Sequence, residues 1–509
     1  MPLIFVVILI GLIYVQLATC LYCVKHQSIQ GGYSSLDTCR INKNRPISAA
    51  AALSSEVDTT SQKNKLTFDL ICKASSSDCQ GVSATLAKAT EIISSAFEFE
   101  TPLIINASYV SFCQEYQDCH YDRKYASIGQ AFPSISYVMV DNTDGMTRLY
   151  PQPLLKQFTG LSVKPTWTQY DIEAQFNNEI SWYFVNGSDP IQSDQTDFLR
   201  NVIHELIHGL GFMTSWNDDF YDSLAPLFDT EKLDYFITPA LLAQTDQQQL
   251  MSSYNANQPF WGFVEFPFDK YIYYTNSNSN GDNDGAKYMP FTANTRQLNN
   301  FSSSNTTFRN MVDLANAWYG SDEYKLSKQL YTKTVTPLDV LAVIDNEPLI
   351  FLETSVTPFS SGSSLCHVDQ SQYLNSTEYL MVYLANSGID ITRLDQLFPQ
   401  GPIGPKLLKI MATLGYRLEN NTSVSTARPS LSYWSPPKGL VNTGSNPSPS
   451  ISIDTAGPAR MPTSSASISN AKSTSTDRSA SKASTVSVAQ RQYWDLLSFC
   501  IIIALAVHV

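Results

Sequence analysis

Residues 201–212 read Asn-Val-Ile-His-Glu-Leu-Ile-His-Gly-Leu-Gly-Phe, and no other stretch constrains the chain as much. The pattern is H-E-x-x-H-x-x-G. On a helix, His204 and His208 stand one turn apart on one face, so both imidazoles reach a single metal ion. Glu205 lies beside the first histidine, where its carboxylate can face a water without ligating. Asp197, or the Ser193-Asp194 pair, offers a cap, and Phe198, Leu199, Val202, Ile203, Leu206, Ile207 and Leu210 supply an apolar stripe. The bland alternative is a buried helix that carries two histidines by chance. A catalytic zinc holds three protein ligands and one open position, so the fold must bring a third ligand to this helix from elsewhere.

The chain is long enough, at 509 residues, for one large domain with appendages or for two to three smaller ones. A net charge of -13 with only 16% charged residues excludes nucleic acid as a natural partner, because phosphates need Lys and Arg. Residues 1–19 are apolar and end in small residues, which predicts a secretory signal peptide, a retained N-terminal anchor being the alternative. Sequons at Asn106, Asn186, Asn300, Asn305, Asn375, Asn420 and Asn421 are the expected glycosylation sites of a secreted chain. The nine cysteines suit an oxidising compartment. Their pairing is left open, and the single C-x-x-C pair, Cys20 to Cys23, does not make a zinc knuckle.

From Glu419 the composition shifts to Ser, Thr, Pro and Ala, so residues 419–484 are expected to be an extended, O-glycosylated stalk. Small residues at 481–484, a polar spacer and an apolar tail from Leu496 to Val509 match a glycosylphosphatidylinositol (GPI) anchor signal over 485–509, with a transmembrane anchor as the runner-up. Residues 20–99 are expected to be a cysteine-containing pro-segment or part of the folded domain, and 100–418 the catalytic domain. Helical spacing runs from Ser83 to Ser95. Strand-like stretches begin at Phe97 and cover Ile135–Val140, Asp171–Phe176 and Ile180–Val185. A strand-rich return is expected over Thr336–Phe351, and a helix over Ile403–Tyr416 closed by Gly415.

The compact motif H-E-x-x-H-x-x-G-x-x-H would place its third ligand at Thr214, a poor one, although Gly211 is in place to stop the helix and turn the chain. Asp218, Asp219, Asp222 and Glu231 follow as carboxylate alternatives. Outside the tail the remaining histidines are His26, His120 and His367. His367 stands apart, followed by Glu378, Leu380, Met381 and Tyr383.

With these residues in view the chain resembles the leishmanolysin branch of the metzincin zinc endopeptidases. In that family H-E-x-x-H-x-x-G-F is followed by an insertion, and the third histidine opens a segment H-W-E…E-L-M whose methionine forms a Met-turn beneath the zinc. His204, Glu205, His208, Gly211, Phe212, His367, Glu378, Leu380 and Met381 match it. The departures are an insertion of 158 residues between His208 and His367, His-Val-Asp in place of His-Trp-Glu, and no cysteine-rich C-terminal domain.

The resemblance implies an α+β fold of two subdomains, with a mixed sheet and active-site helix above and an irregular part, including an insertion at about 213–365, below. It implies one Zn²⁺ on His204, His208 and His367, Glu205 as general base and acid, and Met381 at the Met-turn. Tyr383 resembles the tyrosine that assists the transition state in some metzincins. Expected partners are protein or peptide substrates, and the membrane through the lipid anchor. The competing reading is a catalytically inactive surface, wall or adhesion protein on the same fold, and the retained Glu205 argues against it.

Overall fold

The computed structural model describes residues 21–26, 36–39, 65–119, 127–161, 164–184, 190–228, 233–243, 258–276, 287–304, 307–308, 310–391, 401–419 and 429–436. The signal segment, the GPI tail and nearly all of the stalk lie outside the described residues, as do Asn186, Asn305, Asn420, Asn421, His120 and Glu231.

The architecture is α+β and begins with a βαβ unit. Strand β1 (Leu66–Cys72) leads into helix α1 (Ser76–Ala96), and strand β2 (Leu103–Val110) returns parallel to β1. The Ser75 side chain caps α1 by accepting from the Asp78 N–H. Val82, Leu86, Ala89 and Ile93 then bury one face at helical spacing. Along β2, Leu103, Ile105, Ala107 and Tyr109 are buried while Ile104, Asn106 and Ser108 are half-buried, the period-2 pattern of a sheet with one covered face. Strand β5 (Ile172–Asn177) adds parallel to β2, and strand β3 (Gly129–Pro133) adds antiparallel as the outer strand. Helix α2 (Phe198–Gly209) packs against α1, β3 and β5. It lies so close to β5 that a Cβ on Gly209 would meet Ile172 at 2.5 Å.

A second sheet is built around strand β4 (Ile135–Asp141), which pairs with Leu21–Lys25, Met146–Pro151 and Leu431–Tyr433. Residues from both ends of the folded part therefore share one strand. The boundary expected at residue 100 falls inside continuous structure, because β1 and α1 belong to the sheet that carries α2. The stalk expected from Glu419 likewise yields Leu431–Tyr433 to the fold. Cys23–Cys39, Cys72–Cys79 and Cys113–Cys119 are disulfide-bonded, each closing a short local loop, and Cys366 is buried.

The part after Gly211, expected to be irregular, is instead organised. Ala240–Ala243, Gln258–Val264 and Thr307–Phe308 form one antiparallel sheet. Tyr288–Pro290, Ile272–Thr275, Val340–Ile344 and Glu347–Phe351 form another, with the last two making the expected return. Helix α3 (Phe291–Ser304) packs on both. The aromatic residues of the insertion explain the order: Phe220, Phe236, Phe263, Phe301 and Trp318 are buried in the same hydrophobic core as the apolar residues of α2. Among the described residues of the expected strand 180–185, Trp182–Tyr183 form a strand, and the Trp182 indole N–H donates to the Asn177 carbonyl (2.7 Å) and folds the segment back. The Ile403–Tyr416 stretch forms helix α4 (Pro405–Leu414), ended by Gly415 at φ +129°. Asn300 and Asn375 are exposed, whereas Asn106 donates its amide to Glu173 (2.7 Å) from within β2. Among the described residues no helix is long and apolar enough to cross a membrane.

One buried ion cluster fastens the insertion to the second sheet. Arg148, fully buried, contacts Asp141 at 3.4 Å, Asp144 at 2.8 Å and Glu265 at 3.0 Å, while Thr292 and Thr295 donate to Glu265. Burial pushes the Glu265 carboxyl up to about 7 against the pull of that guanidinium. Arg148→Ala would leave the buried Glu265 carboxylate without its cation, while Asp141 keeps Lys270 at 2.8 Å, and is expected to cost about 3–5 kcal/mol in chemical denaturation. A loss under about 1 kcal/mol would show the cluster to be dispensable.

His26 is half-buried against Phe132 and Phe266 with Nε2 3.0 Å from the Ser136 hydroxyl, and desolvation lowers its pKa to about 3. The unfolded chain binds this proton near pH 6.5 and the folded chain does not. Its contribution to stability is thus complete above pH 6.5 and drains away as pH falls towards 3, by about 1.4 kcal/mol per unit. Urea denaturation at pH 7 and pH 5 should therefore show a smaller acid loss for His26→Gln than for the wild type. Equal losses would remove the histidine from the account.

Candidate metal centre

Helix α2 starts where Asp197 accepts the Leu199 and Arg200 N–H groups with one oxygen (2.9 and 3.3 Å) and the Ile391 N–H with the other (2.6 Å). Of the two caps open in the sequence, Asp197 is the one used. Burial pushes its carboxyl up to about 6 against these three donors. All twelve residues of α2 are buried, so each polar side chain on it must find its partner inside the protein. The helix ends at Gly211, φ +118°, which turns the Phe212 carbonyl back to within 2.6 Å of His208 Nδ1.

His367 reaches the helix through short pairings of its own segment. Val368 bridges Leu352 on one side and Val382 on the other, Glu353 N–H donates to the His367 carbonyl (2.9 Å), and Val368 N–H to the Met381 carbonyl (2.9 Å). His204 Nε2 lies 3.2 Å from His367 Nε2 and 3.3 Å from His208 Nε2. Tetrahedral ligands about 2.0–2.1 Å from zinc stand roughly 3.3–3.4 Å apart, so these spacings fit one such ion. Among the described residues this triad is the one group of three or more His, Cys, Asp or Glu side chains placed to share a metal.

The chemistry of the donors agrees with the spacing. His204 Nδ1 faces the Leu380 carbonyl (2.6 Å), His208 Nδ1 the Phe212 carbonyl, and His367 Nδ1 the Ser363 carbonyl (3.0 Å). A carbonyl only accepts, so each Nδ1 carries the proton and each Nε2 of a neutral ring a lone pair. Burial, then the Arg200 charge for His204 and the His367 ring for His208, lowers the pKa of both helix histidines and keeps them neutral. Three Nε2 atoms thus converge, each on a ring whose Nδ1 faces a carbonyl, an arrangement that a cation satisfies.

Glu205 is fully buried, and neither carboxylate oxygen has a formed hydrogen bond. Burial drives its pKa well up, with the Arg200 charge and the Ala131 backbone of β3 pulling it back. Met381 is buried in the Tyr379–Met381 turn. Tyr383 is half-buried with its ring 6.4 Å from that of His367, and burial raises its phenol pKa. Glu378 caps α4 instead of facing the histidines, accepting from Lys406 N–H (2.9 Å) and Leu407 N–H (3.1 Å). Thr214 donates to buried Asp269, and neither Asp218, Asp219 nor Asp222 joins the triad. His26 lies apart from it on Ser136.

Sequence reasoning passed over Arg200, whose Nη2 donates to the carbonyls of Leu380 (3.1 Å) and Val382 (2.7 Å). The signal was present: residues 200, 204 and 208 repeat every four along one face of the helix. His367→Ala should lower zinc affinity by more than the ~10–100-fold that loss of an outer partner costs, read by chelator competition. Zinc content and affinity unchanged in that variant would remove His367 from the centre.

A protein of Schizosaccharomyces pombe (strain 972) named "Uncharacterized protein PB7E8.01" is 28% identical over 351 residues, 66% of this chain and 58% of that protein. The match thus spans less than two thirds of that relative's length. No solved structure matches the chain. The SPBPB7E8-like family profile matches residues 23–454, a span that includes the helix motif, the insertion and His367, and the chain belongs to that family.

Proposed function

We propose that the chain is a zinc-dependent endopeptidase of metzincin type, resembling leishmanolysin, that acts outside the cell on a GPI tether. One observation carries the reading: His204 Nε2 lies 3.2 Å from His367 Nε2 and 3.3 Å from His208 Nε2, on the helix that also carries the buried carboxylate of Glu205. Further support comes from the Gly211 turn, from the Met381 turn lying against both His204 and His367, and from the antiparallel strand β3 at the end of an otherwise parallel sheet. The extracellular tether rests on the two terminal segments and the sequons, and the disulfides agree with it.

The residues that would hold zinc are His204, His208 and His367. When bound, zinc supplies Lewis acidity, polarising a scissile carbonyl and making water nucleophilic at neutral pH. Glu205 takes the proton of the attacking water and hands it to the leaving amide nitrogen. Its burial suits the task, because a carboxyl desolvated in this way holds a proton longer than an exposed one and can return it. The carbonyl contacts at each Nδ1 keep the three rings in the tautomer that presents Nε2. Tyr383, its ring 6.4 Å from that of the third histidine, would donate its hydroxyl to a developing oxyanion.

The secreted chain and Glu205→Ala, assayed side by side on an unstructured protein, test this reading. Both should carry one equivalent of zinc, and the variant should lose about 10²–10⁴-fold in kcat/KM, with chelator abolishing the wild-type rate. Equal, chelator-sensitive cleavage by the two would overturn the role of Glu205. Zinc bound without any cleavage by the wild type would favour the non-catalytic surface protein.

A further inference from the structure

We propose that Arg200 is a positioning residue of the metal centre, the pin that holds the turn carrying Met381 and so registers His367 against His204. The inference rests on the metal-site reading above and assigns a role to a residue outside the ligand set.

Arg200 is 6% exposed, and its formed bonds go to carbonyls: Nη2 donates to Leu380 and Val382, the two residues that flank Met381, while Nη1 has no partner. Taking a guanidinium out of water is costly, and two neutral acceptors do not repay it as a bidentate carboxylate would. A helix in need of stability alone would be better served by an apolar residue here.

What the guanidinium does instead is join three pieces of chain. The Leu380 carbonyl that accepts from Arg200 also accepts from His204 Nδ1 at 2.6 Å, so one oxygen receives both side chains, one helical turn apart. The Val382 carbonyl belongs to the residue that bridges Val368, next to His367. The Met381 carbonyl between them accepts from Val368 N–H. Moving this turn would therefore shift the acceptor that orients His204 and the backbone that carries His367 together. Arg200 is the side chain that holds both flanks of the turn to α2.

The full-length protein, Arg200→Met and Arg200→Lys provide the test. Zinc affinity is read by competition with a chromophoric chelator, and ligand geometry by the visible spectrum after loading with Co²⁺ alone. Arg200→Met is expected to bind zinc about 10–100-fold more weakly, the usual consequence of losing an outer partner, and to change the Co²⁺ bands. Arg200→Lys should recover part of the affinity, since one ammonium can still reach a carbonyl but lacks the fork. A purely structural arginine would lower the melting temperature and leave affinity and spectrum of the folded protein unchanged, which overturns the proposal. Should Arg200→Met not fold, the same two readouts on Arg200→Lys decide it: both altered supports the pin, both unaltered overturns it. Wild-type protein that binds neither zinc nor Co²⁺ refutes the metal site itself, an outcome distinct from loss of the pin alone.

Discussion

Three hydrogen bonds from imidazole Nδ1–H to backbone carbonyls govern this structure. Their acceptors, Leu380, Phe212 and Ser363, come from three separate loops. A side-chain acceptor could swing away, but a carbonyl moves only if its chain segment moves, so the ligand geometry is a property of the fold. The bonds also dictate the chemistry, since a ring that donates from Nδ1 offers a lone pair at Nε2. Three such lone pairs buried together lack donors, and each unmet acceptor costs about 1–3 kcal/mol. A bound cation would remove that deficit, and its binding energy would then count as folding energy.

A third histidine 159 positions beyond the second is less costly to bring into the triad than it sounds. The entropy of closing a loop grows only with the logarithm of its length. Much of the intervening chain is also not a slack loop: it builds two antiparallel sheets, shares the aromatic core of Phe220, Phe236 and Trp318 with α2, and is fastened to the second sheet by Arg148. By the time the chain reaches Leu352 it is already placed. The bridges from Val368 to Leu352 and Val382 then have only a few residues left to align.

The parts legible in the sequence were those whose physics is local. Spacing of four put His204 and His208 on one face, Gly211 announced a positive φ, and the periodicities of 83–95 and 135–140 marked a helix and a strand. His367 was legible only by elimination and family resemblance, because its approach depends on pairings between residues far apart in sequence. The order within 213–365 was missed for a similar reason. Outside the expected return at 336–351, its strands pack on aromatic partners from other segments, as Phe260 and Phe263 of Gln258–Val264 do on Phe301 and Trp318. Leu431–Tyr433 was hidden differently, as three residues of strand inside a composition that looked like stalk. The disulfide pairs and the use of Asp197 as cap needed coordinates, since several choices were equal on spacing alone.

Helix α2 carries the clearest sign that function shaped this core. In a fully buried helix an apolar residue at every position would be the stable choice, yet Asp197 at its cap and Arg200, Asn201, His204, Glu205 and His208 within it are polar and nearly or wholly inaccessible. Asp197, Arg200 and the histidines are held by named backbone partners. Asn201 and Glu205, four residues apart and so on one face, are not: the polar side-chain atoms of both lack formed hydrogen bonds. A Cβ on Gly129 would lie 2.5 Å from the Asn201 amide, so the outer strand β3 can pass this close only because glycine stands there. Polar groups left unmatched at one face, beside others that are fully matched, are a departure from local consistency that packing does not explain. Burying each such group costs about 1–3 kcal/mol, so this face of α2 is held polar against the demand of packing.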